Sequence, residues 1–451
     1  MSSQSFLRKN ILIAWPLALN GLLMQSMLMI DTFLVSPLGE APLAAMGISA
    51  AVLVFMLGVH MALANGTQLI LSRAVGSGSS SSVAIGFWAG LAINCTVSVF
   101  FWLLLCLFDE ALVARLVQGD ELLTQTLSYL AWAKYLVPFT ALTQVMTALL
   151  NSQGQSKVPL HGYLLEMPLN TLFSYCLISG VLSFQGMGVA GAALGSVLAI
   201  VLRTLYLAWY VRFKGTMKLS LKTNLRAFFM NMKQHSFEIF PVAANITILQ
   251  IGISVYQLLY SQLSLNAYAA IIIIMPWLRG GSQFITAWAH ATAISISQLI
   301  GSRNLKDLPQ CVNKSIDVAV AVSIACGGLF AVLSFCLPYF YSSLEADTYI
   351  ALAAIAPLYI FLPMVRGYNT VHGHVLRALG KTTAVFKINF TGQWLVSIPL
   401  CAALILYWDV SIFWAFAVQP FEEIVKALPF RHLARKSLKE FDEDKMKSLL
   451  Y

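Results

Sequence analysis

The chain has 451 residues, of which 59% are hydrophobic and only 10% charged, with a formal net charge of +9. A soluble domain carries about 25% charged residues, so these few charges exclude a water-covered surface and make lipid the solvent for most of the chain. The positive balance is an orientation signal rather than a nucleic-acid footprint, because the basic residues fall in alternate loops.

Apolar stretches long enough to cross a bilayer follow one another along the chain; a span needs about 20 mostly apolar residues. Twelve are predicted, at 10–35, 43–73, 84–108, 122–150, 157–183, 186–211, 236–262, 266–300, 311–340, 347–376, 384–406 and 408–430. No secretory cleavage site precedes the first, which is expected to be retained. The long polar interruption 212–235, with Arg212, Lys214, Lys218, Lys222, Arg226 and Lys233, is read as a linker between an N-lobe (1–211) and a C-lobe (236–430). Residues 431–451 form a charged tail, expected to be a short surface helix.

One set of loops carries Arg8, Lys9, Arg73, Lys157, the linker cations, Arg303, Lys306, Lys314, Arg377, Lys381, Lys387 and the tail cluster. The alternate loops hold Arg115 beside Asp109, Glu110, Asp120, Glu121, Glu345, Asp347 and Asp409. Basic loops face the cytoplasm, which puts both termini there and predicts a multi-pass protein of a bacterial inner membrane.

A shift of 225 residues lays the first two spans over the seventh and eighth without a gap. Pro16 meets Pro241, Asn20 meets Asn245, Gln25 meets Gln250, Thr67 meets Thr292 and Gly76 meets Gly301. Six spans per half means that both halves enter the membrane from the same side. The expected fold is an all-α polytopic membrane protein of twelve transmembrane helices in two parallel, pseudo-symmetric six-helix lobes around a central cleft. Parallel repeats of this kind recur in transporters that work by rocking one half against the other.

Several motifs together resemble the multidrug and toxic compound extrusion (MATE) family, over nearly the whole chain. They are Pro16 with Asp31-Thr32-Phe33, Ala64-Asn65-Gly66-Thr67-Gln68, Asn151 through Lys157 with its counterpart Arg377-Ala378-Leu379-Gly380-Lys381, and Gly188 through Ala193. The details are most similar to the DinF-like branch. The resemblance implies an exporter of bulky cationic or lipophilic drugs driven by an H⁺ gradient, with Na⁺ left open. It also implies a coupling carboxylate at Asp31 and a polar cavity of Tyr129, Asn170, Ser174 and Ser196. Ser174 stands where relatives often have an aspartate. Gln250 and Arg366 stand where sodium-coupled relatives carry acids.

The residues themselves support Asp31. It lies in an apolar run, where a charge costs about 2.5–3.5 kcal/mol on insertion scales. Withdrawal from water favours the neutral form of a carboxylate and makes it a proton acceptor; the structural alternative is snorkelling near the outer end of its helix. Pro16 removes a backbone bond and kinks the first helix. Asn170 and Ser174 share a helix face and could equally serve interhelical packing. Glu166 is expected as a boundary residue, with a relay role as the alternative, and Arg203, Arg279, Lys134 and Arg366 as snorkelling or cleft-facing cations. Arg366 would repel cationic drugs, which favours binding in the first half. Met24, Met27 and Met29 near Asp31 are read as lipid-facing or packing residues, with an adaptable lining of a drug cleft as the alternative.

No protein cofactor or metal is implied. Cys95, Cys106, Cys176, Cys311, Cys326, Cys336 and Cys401 lack metal-like spacing. His372 and His374 point apart on a helix. Gly380-Lys381-Thr382 lacks the earlier glycine of a phosphate loop, Val375 standing there, so ATP is not expected as the energy source. The partners expected are small-molecule drugs and the bilayer, for a monomer without nucleic acid. The alternatives kept are a flippase of the same superfamily for a lipid-linked substrate, and a Na⁺-coupled drug antiporter; no enzymatic motif is present.

Overall fold

The computed structural model describes residues 3–115, 119–180, 185–215, 219, 225–341 and 344–449. Lys218 and Lys222 of the expected linker, and the last two residues of the expected tail, lie outside them. The described elements are helical: α1 (Ser3–Val35), α2 (Glu40–Gly76), α3 (Ser80–Val113), α4 (Asp120–Ala133), α5 (Leu136–Ser152), α6 (Lys157–Ser179) and α7 (Val189–Phe213) in the first half. The second half holds α8 (Leu225–Tyr260), α9 (Leu265–Gly301), α10 (Leu308–Phe340), α11 (Ala346–Ala378), α12 (Thr382–Phe390), α13 (Ile398–Leu406), α14 (Ile412–Lys439) and α15 (Glu443–Leu449).

Each of the twelve predicted spans coincides with helix. Nine described helical stretches are long and apolar enough to cross a membrane by length and composition alone. Large apolar side chains such as Phe33, Leu107, Phe335 and Leu395 stand exposed along them, as a lipid-facing surface requires.

Two predicted spans are interrupted, each beside a proline. The fourth breaks at Lys134 and Tyr135, between α4 and α5. Pro138 has no N–H to give to the Lys134 carbonyl, so the helical ladder lapses there. The eleventh passes through a π-helical segment, Thr391–Ser397, between α12 and α13. Helix α14 continues through Lys439 and α15 follows it, so the tail is longer in helix than a short surface element. Helix α8 starts at Leu225, within the polar stretch expected as linker.

The repeat is visible in the element bounds. Helix α2 runs Glu40–Gly76 and α9 runs Leu265–Gly301, offset by the same 225 residues at both ends. The chain divides into two compact units, one of Leu19–Ala243 and one of the chain up to Ala18 together with Ala244 onward. The two cut points, after Ala18 and after Ala243, are again 225 residues apart, so α1 and α8 each lend their first part to one unit and the remainder to the other.

Within the Leu19–Ala243 unit the early part of α8 packs on α2. A Cβ on Gly66 would lie 2.9 Å from the Ile239 backbone, so only glycine permits this approach. Arg73 donates to Glu238 at 2.5 Å. Arg73, counted among the loop charges, is thus buried in an ion pair. In the other unit the early part of α1 packs on α9: Ile13 joins Ala291 and Ile294, and Asn10 bonds Thr292 at 3.3 Å and also Ser295.

The paired turn motifs of the sequence are helix caps. Gly154 (φ 75°) and Gly380 (φ 76°) end α5 and α11 in the left-handed region. In each case the next N–H reaches back into the last turn, Gln155 to the Leu150 carbonyl and Lys381 to the Leu376 carbonyl, both at 2.8 Å. A left-handed glycine also follows α2, Gly78 (φ 71°), where the next N–H meets Ser77 Oγ at 3.4 Å; its counterpart after α9 is Arg303 at φ 59°, where the Asn304 N–H reaches the Leu299 carbonyl at 3.1 Å.

Candidate functional site

Asp31 projects from the part of α1 that belongs to the Leu19–Ala243 unit. It does not snorkel. Its Oδ1 accepts from Asn170 Nδ2 at 2.8 Å, and its Oδ2 accepts from Ser196 Oγ at 3.3 Å. Asn170 is held in turn. The Ser174 hydroxyl lies 3.4 Å from Asn170 Oδ1 and 3.4 Å from the Ala192 carbonyl, which keeps the amide's NH₂ turned to Asp31. Asn170 and Ser174 are fully buried. Tyr129 of α4 is buried and within electrostatic reach of Asp31.

Small residues bring α6 and α7 close enough for this. A Cβ on Gly195 would sit 2.6 Å from the Ser174 backbone nitrogen, and one on Gly191 2.5 Å from the Leu177 carbonyl. The Gly191–Gly195 spacing is the small-xxx-small pattern by which membrane helices approach. The Gly188–Ala193 motif therefore has a physical role: it builds the interface in which Ser174 and Asn170 meet Asp31.

Two expectations change one turn further along. Glu166 is not a boundary residue but is buried and paired with Arg203. Arg203 does not snorkel; it also donates to Thr143 Oγ1 at 3.0 Å and lies 4.2 Å over the Tyr163 ring. Glu166, Asn170 and Ser174 recur every four residues of α6, so the polar stripe on this helix is continuous.

Of the remaining candidates, Pro16 is buried within an α1 that stays helical across it. Gln250 is exposed on α8. Arg366 is not a free cation. Its Nε meets Glu423 Oε1 at 3.4 Å, and its Nη2 donates to Gln419 Oε1 at 3.5 Å. His372 and His374 do point apart: His374 lies tilted against His290, with ring centroids 4.4 Å apart, and His372 against Tyr368.

Sequence reasoning passed over the charges of α14. Lys426 Nζ bonds Glu422 Oε1 at 2.8 Å and Glu423 Oε1 at 3.4 Å, with all three buried. Tyr256 donates to Glu422 Oε2 at 2.7 Å, and Asn369 Nδ2 to Glu423 Oε2 at 2.8 Å. The π-helical segment packs here: a Cβ on Gly392 would lie 2.7 Å from Lys426 Cδ. Glu422 and Lys426 are four apart, the spacing of a helix ion pair, and that was the available signal. It was passed over because these residues lie within the predicted span 408–430 and its apolar average hides them.

The MatE family profile matches residues 16–176 and 241–403. The uncharacterized transporter YisQ of Bacillus subtilis is 23% identical over 400 residues, covering 86% of this chain and 85% of that protein. A probable multidrug resistance protein NorM of Agrobacterium fabrum is 24% identical over 405 residues, covering 85% and 80%. Among solved structures, the Vibrio cholerae MATE transporter VcmN in its bent form matches with a TM-score of 0.86 at 16% identity, covering 97% of this chain and 98% of that one. The two matched blocks together span well over half of the sequence, one in each half of the repeat, and the chain belongs to the MatE family, whose members are membrane transporters and not enzymes.

Proposed function

We propose that this transporter exports lipophilic cationic drugs in exchange for H⁺, with Asp31 as the group that exchanges proton for cargo. The observation that carries the reading is the environment of Asp31, an intramembrane acid whose two oxygens are met by different kinds of donor. Intramembrane carboxylates on transporter helices are functional by default. The relatives named as multidrug resistance proteins support the cargo class.

The hydrogen-bond chemistry assigns an order of events. An amide NH₂ only donates, so Asn170 holds Oδ1 as an acceptor in either protonation state. A hydroxyl can reverse. When a proton arrives on Oδ2, Ser196 turns from donor to acceptor and its own O–H turns to donate to the Ala192 carbonyl, 3.2 Å away. Protonation removes the negative charge and with it the hold on a cationic drug. Deprotonation on the other side of the cycle restores it. By this reading the basic loops and both termini face the cytoplasm of a bacterial inner membrane, and the chain sits with the DinF-like branch.

Efflux of ethidium by proteoliposomes under an imposed pH gradient or an imposed Na⁺ gradient tests this. Transport driven by the pH gradient and lost in Asp31→Asn is expected. Transport driven only by Na⁺ refutes the ion, and undiminished pH-driven efflux in the variant refutes the site.

A further inference from the structure

We propose that the buried Glu166–Arg203 pair is a positioning element that sets the pH at which Asp31 exchanges its proton. The proposal rests on the reading of Asp31 as the coupling acid. The groups that face Asp31 come from three helices. From α4 there is Tyr129; from α6 Asn170, with Ser174 behind it and Glu166 a turn away; from α7 Ser196, with Arg203 further along. Of these, the charged groups are Glu166 and Arg203.

The pair is polarised with respect to Asp31. Glu166 is four residues from Asn170 on α6, about 6 Å along the axis. Arg203 is seven residues from Ser196 on α7, about 10 Å along. Arginine reaches back with its long side chain, so the negative end of the pair lies nearer Asp31. Like charges repel, so a Glu166 carboxylate on this side disfavours a second negative charge at Asp31. Repulsion favours a protonated Asp31, while Arg203 keeps Glu166 ionised in a site where an unpaired carboxylate would neutralise itself. The pair thus turns the negative end of a buried dipole toward Asp31. Ser174, adjacent on the same stripe, carries no charge of its own.

Burial holds the pair in place. Gly162 leaves room for the Arg203 stem, which a Cβ would meet at 3.2 Å. Thr143 accepts from Nη2, and the Tyr163 ring lies against the guanidinium. A pair serving only to join α6 and α7 would be indifferent to which end carries which sign; one that biases Asp31 is not.

The test is the pH profile of ethidium efflux in proteoliposomes, with initial rates compared across external pH. In Glu166→Gln the remaining Arg203 charge stabilises ionised Asp31, and the midpoint moves to lower pH. In Arg203→Met the unpaired Glu166 neutralises and the midpoint also moves to lower pH, by less than in Glu166→Gln because no stranded cation remains, and Arg203→Lys keeps the wild-type midpoint. A unit charge about 10 Å away at an effective dielectric constant of about 20 gives a shift of about one pH unit. The reversed pair, Glu166→Arg with Arg203→Glu, leaves no buried charge alone and tests the sign should the single variants fail to fold. It is expected to move the midpoint downward as Glu166→Gln does. Midpoints unchanged in Glu166→Gln or, where that variant does not fold, in the reversed pair overturn the proposal while leaving Asp31 intact. Retained proton-driven efflux in Asp31→Asn, measured in parallel, would instead remove the reading beneath it.

Discussion

Lys426→Met isolates one electrostatic contribution in the Ala244-onward unit. Methionine keeps most of the lysine stem, so the close packing against Gly392 survives and the ammonium alone is lost. Glu422 and Glu423 then face each other with only Arg366 to compensate, and Arg366 is 37% exposed and bonded at 3.4 Å. Removing one partner of a buried ion pair costs about 3–5 kcal/mol, chiefly because the other charge is stranded. Tyr256 and Asn369 still donate to the two carboxylates and place the expected loss toward the lower end, about 3 kcal/mol. The double variant Lys426→Met with Glu422→Gln removes the stranded charge and should recover all but about 1 kcal/mol of it. The assay is urea unfolding in detergent, followed by tryptophan fluorescence. If Lys426→Met alone shifts stability by less than about 1 kcal/mol, or if the double variant is no better than the single, then the cluster is not a mutually neutralising network.

Other expectations follow from the helix contacts and caps. Gly195→Ala drives a Cβ into the Ser174 backbone and should destabilise by about 1–3 kcal/mol, with loss of ethidium efflux out of proportion to expression. Arg303→Gly relieves a left-handed arginine where the first repeat has Gly78, and should raise stability by about 1 kcal/mol in the same urea assay. Asp442 accepts the Lys445 backbone N–H, a bond that holds its carboxyl below the usual 3.8. Its support for α15 is therefore complete near neutral pH and is lost only as pH falls through that lowered value, with faster amide exchange over Glu443–Leu449 as the readout.

The scaffold was readable in the sequence because its signals are local or strictly repeated. Apolar runs locate helices, and a fixed offset of prolines, amides and glycines locates the repeat. Asp31 was readable because a lone acid in an apolar helix has no inexpensive structural reason to be there. Its partners came from the family resemblance and from the four-residue spacing of Asn170 and Ser174. The Glu166–Arg203 pair was not readable. Periodicity says which face a residue occupies, but not which helix that face meets, and the two are 37 residues apart. Arg366 misled for the same reason: its neutralising partner lies 57 residues away, on another helix. The breaks near Pro138 and Pro399 were signalled by proline, but hydropathy averaged over a whole span hides a lapse of two residues.

The division of α1 and α8 between units bears on how such a chain could arise. A single ancestral copy, half this length, would fold into a unit short of one helical segment and would carry a spare one at its N-terminus. Two copies could satisfy each other by exchanging those segments, the domain-swapped dimer that a short connection favours. Gene fusion would then have made an obligatory exchange permanent. It also means that a cut in the polar stretch 212–235 would yield fragments that each hold a piece of the other's core, so they should fold only when produced together.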